Sequence, residues 1–255
     1  CEVTDVKSLI LADVHANLSA LEAVLDREST WDEVIFLGDV VVAGPQPDEV
    51  LSLLASLDGI FLMGNHDREV LEVDPDAQET DADRLWVQWT RRQISERNLR
   101  FLHSFSDTCV LQRDGLAMRL LHGVLPQEWG YRLWPDTAPQ FFASLADRYS
   151  EPVILSGHSH VQFQKVQGGI TFINPGSVGQ PRLEQPLACY AVLRDGQINL
   201  EAVPYDVERT CRAMDRVSLN DEEFLNTWKE SYRRAVTPAR YGVRDLSHLR
   251  GKGYR

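Results

Sequence analysis

The sequence predicts an α/β fold organised around a largely parallel β-sheet. Short apolar runs alternate with helix-like segments in the amino-terminal part of the chain, and this βαβαβ order is typical of such sheets. In addition, five apolar runs along the chain end directly in His, Asp or Asn. Ligands of open α/β sheets bind at the carboxyl ends of the strands. We therefore expect these polar side chains to gather at one rim.

Three strands and two helices account for the amino-terminal part. The predicted strands are residues 7–11, 34–37 and 60–63. Asn17 or Ser19 can cap the first helix, because both side chains accept hydrogen bonds from free backbone N–H groups. Pro47 is a natural first residue of the second helix, residues 48–57. The third strand runs into Gly64-Asn65-His66-Asp67, the stretch around which the rest of the chain is organised.

The central part combines an acidic stretch with helices and a hairpin. Seven acidic residues fall between positions 69 and 83, which predicts a solvated loop; a lid that repels polyanions is the alternative. The helices and strands predicted next are 85–94, 95–103, 108–113 and 116–121. Asp114-Gly115 joins the two strands and is the strongest short hairpin signal. The second strand leads to His122.

The remaining chain is predicted to form a second sheet and a helical extension. Its elements are a helix at 141–148, a strand at 153–156, and hairpins at 161–166 with 170–174 and 189–193 with 197–204. Asn220 is expected to cap a further helix, since acids occupy the first turn after it. The basic tail from Thr237 is expected to be poorly packed or to lie along the surface. Trp129, Tyr131 and Trp134 either line a pocket or pack internally.

No repeat or linker divides the chain into separate units. We expect a single domain, residues 1–255, with its core at about 7–205. A small cap is possible at 68–105, and a helical extension is expected at 206–255. A chain of this length can bury a full core.

Composition and charge exclude several classes of protein. No apolar run approaches the roughly 18 residues of a membrane span. The net charge of −12 argues against a long nucleic acid as partner, because phosphate contacts need a basic face. It does not exclude a small phosphate ester, which bound metal cations would attract. The lack of a secretory leader and the four scattered cysteines predict a cytoplasmic protein.

Five of the seven histidines sit at predicted strand ends, beside Asp or Asn. These five are His15, His66, His122, His158 and His160. We interpret His103 and His248 as surface or satisfied core residues. Imidazole and carboxylate together favour Zn, Mn, Fe, Co or Ni over Ca or Mg. No cysteine lies near the set, which argues against a thiolate zinc site.

The same positions supply enough ligands for a two-metal centre. Two ions about 3.5–4 Å apart need one bridging carboxylate and roughly three further ligands each. The residues available are Asp13, His15, Asp39, Asn65, His122, His158 and His160. His66 is left over, and a non-ligating His beside two ions is a natural proton donor to a leaving group. Because two ions also activate a shared water and hold a phosphoryl group in line, the set predicts phosphoester hydrolysis. A two-metal amidase or a hydroxylase is the alternative.

The motifs also resemble a known family. Asp-x-His, Gly-Asp, Gly-Asn-His-Asp, His-Gly and Gly-His-x-His occur in that order and resemble the calcineurin-like metallophosphoesterase superfamily, in particular its small bacterial and archaeal phosphodiesterase branch. Residues 15–21, 44–50 and 174–182 are similar to the same branch. The resemblance covers about residues 7–205. It implies a four-layer αββα sandwich of two mixed sheets flanked by helices, with the site at the top of the two facing sheets.

The resemblance further implies a role for each site residue. The implied ligands are Asp13, His15 and His160 for one ion, and Asn65, His122 and His158 for the other. Asp39 would bridge the two ions, and His66 would be the general acid. Ser177 and Arg182 are candidates for substrate contact.

Two positions depart from the pattern of related enzymes. In protein phosphatases and diadenosine-polyphosphate hydrolases, Gly-Asp is followed by x-x-Asp-Arg-Gly, whereas this chain has Val42 and Ala43 at the Asp and Arg positions. A phosphoprotein substrate is therefore not expected, and another group must orient His66. Purple acid phosphatases need a Tyr ligand at the position of Val42, so no tyrosinate–iron colour is expected.

The expected function is metal-dependent hydrolysis of a phosphodiester of a small or nucleotide-like compound. Two divalent ions are expected, with Mn²⁺ favoured over Fe, Zn, Ni or Co. The alternatives are a phosphomonoesterase and a non-catalytic protein-binding scaffold, as some trafficking subunits of this fold are. A scaffold has no physical reason to keep seven costly polar residues at strand ends. A nuclease would need a basic groove or a capping domain.

Overall fold

The computed structural model describes residues 6–123, 132–238, 241, 244, 246–250 and 252–255. Over these residues, two five-stranded β-sheets pack face to face and helices cover their outer faces. This arrangement confirms the expected αββα sandwich. Within the described residues, no helix is both long and apolar enough to cross a membrane.

The first sheet holds the predicted parallel strands and one later hairpin. Its strands are β1 (Ser8–Leu11), β2 (Glu33–Phe36), β3 (Gly59–Phe61), β9 (Leu187–Arg194) and β10 (Gln197–Pro204), in the order β10-β9-β1-β2-β3. β1, β2 and β3 run parallel. β9 pairs antiparallel with β1, with Ala191 opposite Ile10. The sequence predicted that all later strands belong to the second sheet. This prediction is wrong for β9 and β10, because β9 pairs with the free edge of β1 in the first sheet.

The second sheet is formed by the middle of the chain. Its strands are β4 (Thr108–Arg113), β5 (Leu116–Leu121), β6 (Val153–Ser156), β7 (Phe163–Gln167) and β8 (Ile170–Asn174), in the order β4-β5-β6-β8-β7. β5, β6 and β8 run parallel, and the two edge strands pair antiparallel. Asp114 and Gly115 have φ of 49° and 76°, as the predicted hairpin turn requires.

Eight helices lie in the described part of the chain. They are α1 (Leu18–Glu28), α2 (Pro47–Leu54), α3 (Asn65–Glu72), α4 (Ala82–Gln93), α5 (Glu96–His103), α6 (Pro139–Arg148), α7 (Val207–Met214) and α8 (Glu222–Arg234). Asn17 caps α1 by accepting from the backbone N–H of Ala20. The cap of α8 is Asp221 and not Asn220, because the Asp221 carboxylate accepts from the N–H of Phe224. The acidic stretch predicted as a loop begins inside α3.

Three apolar clusters hold the layers together. Between the sheets, Ile10 and Leu37 of the first sheet pack with Met118 and Leu155 of the second. The outer face of the first sheet is covered by α1, α2 and the helices of residues 68–105, the segment considered as a cap. On the second sheet, α6 packs on the outer face through its apolar side chains. The metal-site candidates lie at one end of the inter-sheet cluster.

The described part of the tail lies against the body of the protein. Leu249 is 2% exposed and packs with Trp134, Val161 and Leu183. The backbone N–H of Gln162 also donates to a carbonyl of the tail. The tail is therefore packed over part of its length, along the surface of the domain.

Candidate metal centre

The seven predicted ligands meet at the carboxyl ends of five strands. β1, β2 and β3 of the first sheet and β5 and β6 of the second each lead directly into one or two of them. The residues are Asp13, His15, Asp39, Asn65, His122, His158 and His160. Because β1, β2 and β3 are parallel, as are β5 and β6, their ends open toward the same rim of the sandwich.

Three of these residues form one group. The ligand atoms of Asp13, His15 and His160 all lie within 4.8 Å of one another, and all three side chains are buried. The Nε2 atoms of His15 and His160 are 3.1 Å apart. His160 Nε2 is 3.3 Å from Oδ1 of Asp13. Two nitrogens and a carboxylate oxygen thus face a common point.

A second group lies beside the first. Asp39, His122 and His158 also place one ligand atom each within 4.8 Å of one another. His122 Nε2 is 3.3 Å from Asp39 Oδ2 and 3.2 Å from the side-chain oxygen of Asn65. Asp39 Oδ2 is in turn 3.9 Å from Nε2 of His15 in the first group. Asp39, a member of the second group, therefore lies on the side that faces the first group, where a bridging carboxylate would stand.

Backbone carbonyls fix which nitrogen two of the histidines present. His122 Nδ1 lies 2.8 Å from the carbonyl of Leu37, and His160 Nδ1 lies 2.9 Å from the carbonyl of Gln180. A carbonyl only accepts, so each Nδ1 must carry the proton. Nε2 is then the nitrogen of each ring that faces the centre, as in metal-ligating imidazoles. His158 Nε2 is buried and has no partner among the described residues.

The loops that carry the ligands adopt an unusual backbone conformation. Five ligand residues have positive φ, a conformation that is uncommon for residues other than glycine. They are Asp13, His15, Asp39, His158 and His160, with φ between 48° and 67°. Such conformations cost about 1–3 kcal/mol each and cluster at functional sites. Hydrogen bonds offset part of this cost, among them those from the N–H of Asp13 to Gly38 O and of His15 to Asp39 O.

Asp67 organises these loops, and its role was not predicted from the sequence. Its buried carboxylate accepts from the backbone N–H groups of Asp39, Val40, Val41 and Gly64, at 2.8, 2.8, 3.2 and 2.9 Å. It thereby joins the loop after β2 to the start of α3. An acid at the third position of a helix is a known capping signal, and this signal could have identified it.

Three imidazoles of the centre are held neutral, whereas His122 is held charged: burial alone would lower its pKa, but the Asp39 carboxylate outweighs this effect and raises that pKa to about 9. Burial, together with the nearby His160, lowers the pKa of His15 to about 3. Burial also holds the pKa of His158 and of His160 well below the ordinary value, so these three imidazoles are neutral. Burial alone would raise the pKa of Asp39, but the His122 ring outweighs it and holds that pKa well below its usual range. Neutral imidazoles and an ionised carboxylate, buried together, fit a divalent transition metal.

His66 lies next to the two groups without belonging to either. Its ring centroid is 5.5 Å from that of His15, and its side chain is 31% exposed. Its backbone N–H donates to Oδ1 of Asp39 at 2.9 Å. Its Nδ1 lies 2.9 Å from the carboxylate of Glu69, one turn along α3. Burial lowers the pKa of His66, but the Asp39 and Glu69 carboxylates outweigh this effect and raise it.

The two candidates for substrate contact occupy different environments. Ser177 is fully buried; its hydroxyl donates to the carbonyl of Asp13 and accepts from the N–H of Gln180, both at 2.7 Å. These contacts give Ser177 a role in holding the loop. Arg182 lines a cavity beside the centre, and its buried Nε has no hydrogen-bond partner among the described residues. Burial and the nearby Arg132 lower the pKa of Arg182 to about 9.

That cavity has a volume of ≈ 840 Å³. Residues that line it include His66, Glu69, Glu72, Arg132, Trp134 and Arg182. Trp134 thus both lines the pocket and packs against the tail. Trp129 and Tyr131, the other two aromatic residues considered for this pocket, lie outside the described residues.

The fold and the site agree with comparisons to known proteins. A family model for the calcineurin-like phosphoesterase superfamily domain matches residues 6–195, and the chain belongs to this superfamily. An uncharacterized protein of Methanocaldococcus jannaschii is 31% identical over 227 residues, which cover 80% of this chain and 90% of that protein. Family membership supports a phosphoester hydrolase with bound divalent metal ions.

Two solved structures share the fold over most of the chain. The crystal structure of a metallophosphoesterase from Sphaerobacter thermophilus is similar with a TM-score of 0.76 and 27% identity, covering 91% of this chain and 99% of that one. A hypothetical protein from Pyrococcus horikoshii OT3 is similar with a TM-score of 0.75 and 18% identity, covering 87% and 97% of the two chains. The second similarity shows the fold alone.

Proposed function

We propose that this protein hydrolyses a phosphodiester of a small or nucleotide-like compound, in a reaction that requires two divalent metal ions, with Mn²⁺ favoured. The observation that carries the proposal is the pair of buried ligand groups, with Asp39 of the second group facing the first, next to His66 and a cavity. The cavity volume of ≈ 840 Å³ is in the range of small-molecule sites. Membership of the phosphoesterase superfamily supports the same chemistry.

Each ligand group would bind one of the two metal ions. Asp13, His15 and His160 would hold one ion. The other would be held by Asn65, His122 and His158, with Asp39 shared. When bound, such ions activate a water as the nucleophile and offset the charge of the phosphoryl oxygens.

Two other side chains act on the substrate itself. Arg182 binds non-bridging phosphoryl oxygens, since it lines the cavity and its buried Nε has no hydrogen-bond partner among the described residues. His66 donates a proton to the leaving oxygen. The attacking water releases one proton to solvent and its oxygen bonds to phosphorus. The bond from phosphorus to the leaving oxygen breaks, and the proton from His66 lets the group depart as a neutral alcohol.

The proposal is tested with chelator-stripped protein and added Mn²⁺. We expect metal-dependent hydrolysis of bis(p-nitrophenyl) phosphate, measured beside p-nitrophenyl phosphate under the same conditions. His66→Ala should lower the rate on diphenyl phosphate, whose leaving group needs a proton, by about 10²–10⁴-fold. The matched control is His103→Ala, at an exposed histidine on α5.

Each outcome of this assay has a distinct meaning. Faster hydrolysis of the monoester than of the diester would contradict the proposed phosphodiesterase activity and indicate a phosphomonoesterase. Absence of turnover of both esters with Mn²⁺, Fe²⁺, Zn²⁺, Ni²⁺ or Co²⁺ would contradict the enzyme and favour the protein-binding scaffold. A rate that is the same in the stripped and metal-loaded protein would contradict the two-metal mechanism.

A further inference from the structure

The loop after β2 offers the general-acid candidate no polar side chain at residues 40–43. Val42 and Ala43 line the same cavity as His66. Both side chains are apolar and buried. Neither side chain can form a hydrogen bond with the His66 imidazole. Because this ring is only partly buried, packing alone does not fix its orientation, and another group is needed to do so.

Glu69, on the same helix as His66, provides the hydrogen-bond partner for the imidazole. It lies three residues after His66 on α3, and side chains at this spacing share one face of a helix. Its Oε2 is 2.9 Å from His66 Nδ1. A carboxylate only accepts at this distance, so Nδ1 must carry the proton that the bond shares. Nε2 is then the atom left to face the substrate.

The start of α3 is rigidly tied to the candidate metal centre. The backbone N–H of His66 donates to Asp39, and Asn65 is itself a predicted ligand. The Asp67 carboxylate fastens the same turn to the loop after β2. Glu69 therefore fixes the imidazole relative to the centre, and not merely relative to its own helix.

We propose that Glu69 is a positioning residue that holds the His66 imidazole through Nδ1, so that the Nε2 proton is directed at the leaving oxygen. The proposal rests on the proposed function for its catalytic consequence. The competing explanation is an ordinary exposed i,i+3 pair, which contributes little. Glu72 offers a matched comparison: it lines the same cavity on the next turn of α3, and it forms an ion pair with Arg68 at 3.9 Å.

The first test measures which ring nitrogen of His66 carries the proton. ¹⁵N NMR of the histidine rings of the chelator-stripped protein, at a pH where His66 is neutral, should show His66 protonated on Nδ1. The resonance is assigned by its loss in His66→Ala. Glu69→Ala should shift the ring toward the Nε2-protonated form, whereas Glu72→Ala should leave it unchanged. A ring protonated on Nε2 in the unmodified protein, or equal behaviour of the two variants, would overturn the proposal.

The second test uses leaving groups of different basicity. Glu69→Ala should lower kcat on diphenyl phosphate by up to about 10²-fold, the lower end of what general acid catalysis contributes. It should change kcat on bis(p-nitrophenyl) phosphate much less, because p-nitrophenolate leaves without a proton. A merely structural role would reduce both rates equally, and that result contradicts positioning. Absence of all turnover in the unmodified enzyme contradicts the proposed function, whereas the NMR test still decides whether Glu69 holds the ring.

Discussion

Three buried histidines in the centre are held neutral by their surroundings. His15, His158 and His160 all have lowered pKa values, chiefly because burial penalises the charged form. Metal binding requires deprotonated ligands, so these rings do not have to release a proton before they bind an ion. At the residue scale, burial thus keeps these three imidazoles in the neutral form that binds a cation.

Asp67 provides a prediction at the same scale. In Asp67→Asn, the amide NH₂ would face two of the four backbone N–H donors that now point at the carboxylate. Each unsatisfied buried N–H costs about 1–3 kcal/mol, so the free energy of unfolding should fall by about 2–6 kcal/mol. Urea denaturation at pH 8 measures it, because burial and the nearby Asp39 raise the pKa of Asp67 to about 7 and the group is mostly ionised there.

The control for this prediction is Asp58→Asn, at an exposed position. It should stay within about 0.5 kcal/mol of the unmodified protein. A similarly small change in Asp67→Asn would show that the four hydrogen bonds do not hold the loop. If Asp67→Asn lowers stability but leaves metal affinity unchanged, Asp67 stabilises the fold without shaping the metal centre.

Residue types at strand ends were sufficient to predict which side chains gather at the rim. Asp13, His15 and Asp39 follow short apolar runs, and the structure brings them within reach of one another. The role of Asp67 was missed because its partners in the loop after β2 lie 26–28 positions away along the chain. The structural role of Ser177 was equally hidden, since it depends on a carbonyl 164 positions away. Hydrogen bonds over such distances leave no local pattern.

At the scale of elements, a partly buried ion pair joins the two sheets. Glu33 of β2 accepts from Arg113 of β4 through both oxygens, at 2.8 and 2.9 Å, and from the hydroxyl of Ser8 on β1 at 2.8 Å. Burial alone would raise the pKa of Glu33, but the Arg113 hydrogen bonds outweigh it and lower that pKa. The charged form of Glu33 is therefore stabilised by folding.

This pair predicts a pH-dependent loss of stability in Glu33→Gln. The pKa of the folded state lies below the ordinary value of 4.5, so the pair stabilises the protein above that pH. The contribution is lost as pH falls through the lower folded pKa. At pH 7 the variant should be less stable by about 1–2 kcal/mol, since Arg113 is partly exposed.

Urea denaturation at pH 7 and at pH 3 measures this effect. The difference between the variant and the unmodified protein should shrink at the lower pH. Glu201→Gln, on the exposed side of β10, is the control and should show no such dependence. A difference that grows on acidification would contradict the sign of the pKa shift.

Strand and helix positions were largely predictable, and sheet membership was not. The Asp114-Gly115 hairpin formed as expected, because turn chemistry acts between neighbouring residues. The pairing of β9 with β1 joins segments about 180 residues apart, and alternation of apolar residues does not specify the partner strand. α3 was missed because its first turn belongs to the site motif and its second is acidic.

At the scale of the whole molecule, the two sheets converge on one rim. The first sheet supplies Asp13, His15, Asp39 and Asn65, and the second supplies His122, His158 and His160. Neither sheet alone carries a complete centre, since both ligand groups combine residues of the two sheets. Packing between the sheets therefore determines whether the centre forms, which makes metal affinity a property of the whole sandwich.

The most direct test of the central claim is a Mn²⁺ titration of the chelator-stripped protein, followed by electron paramagnetic resonance. We predict two bound Mn²⁺ ions per chain with a spin-coupled spectrum, because Asp39 of the second ligand group faces the first. Asp39→Asn should abolish the coupling. No bound Mn²⁺, or a single uncoupled ion at saturation, would contradict the two-metal centre.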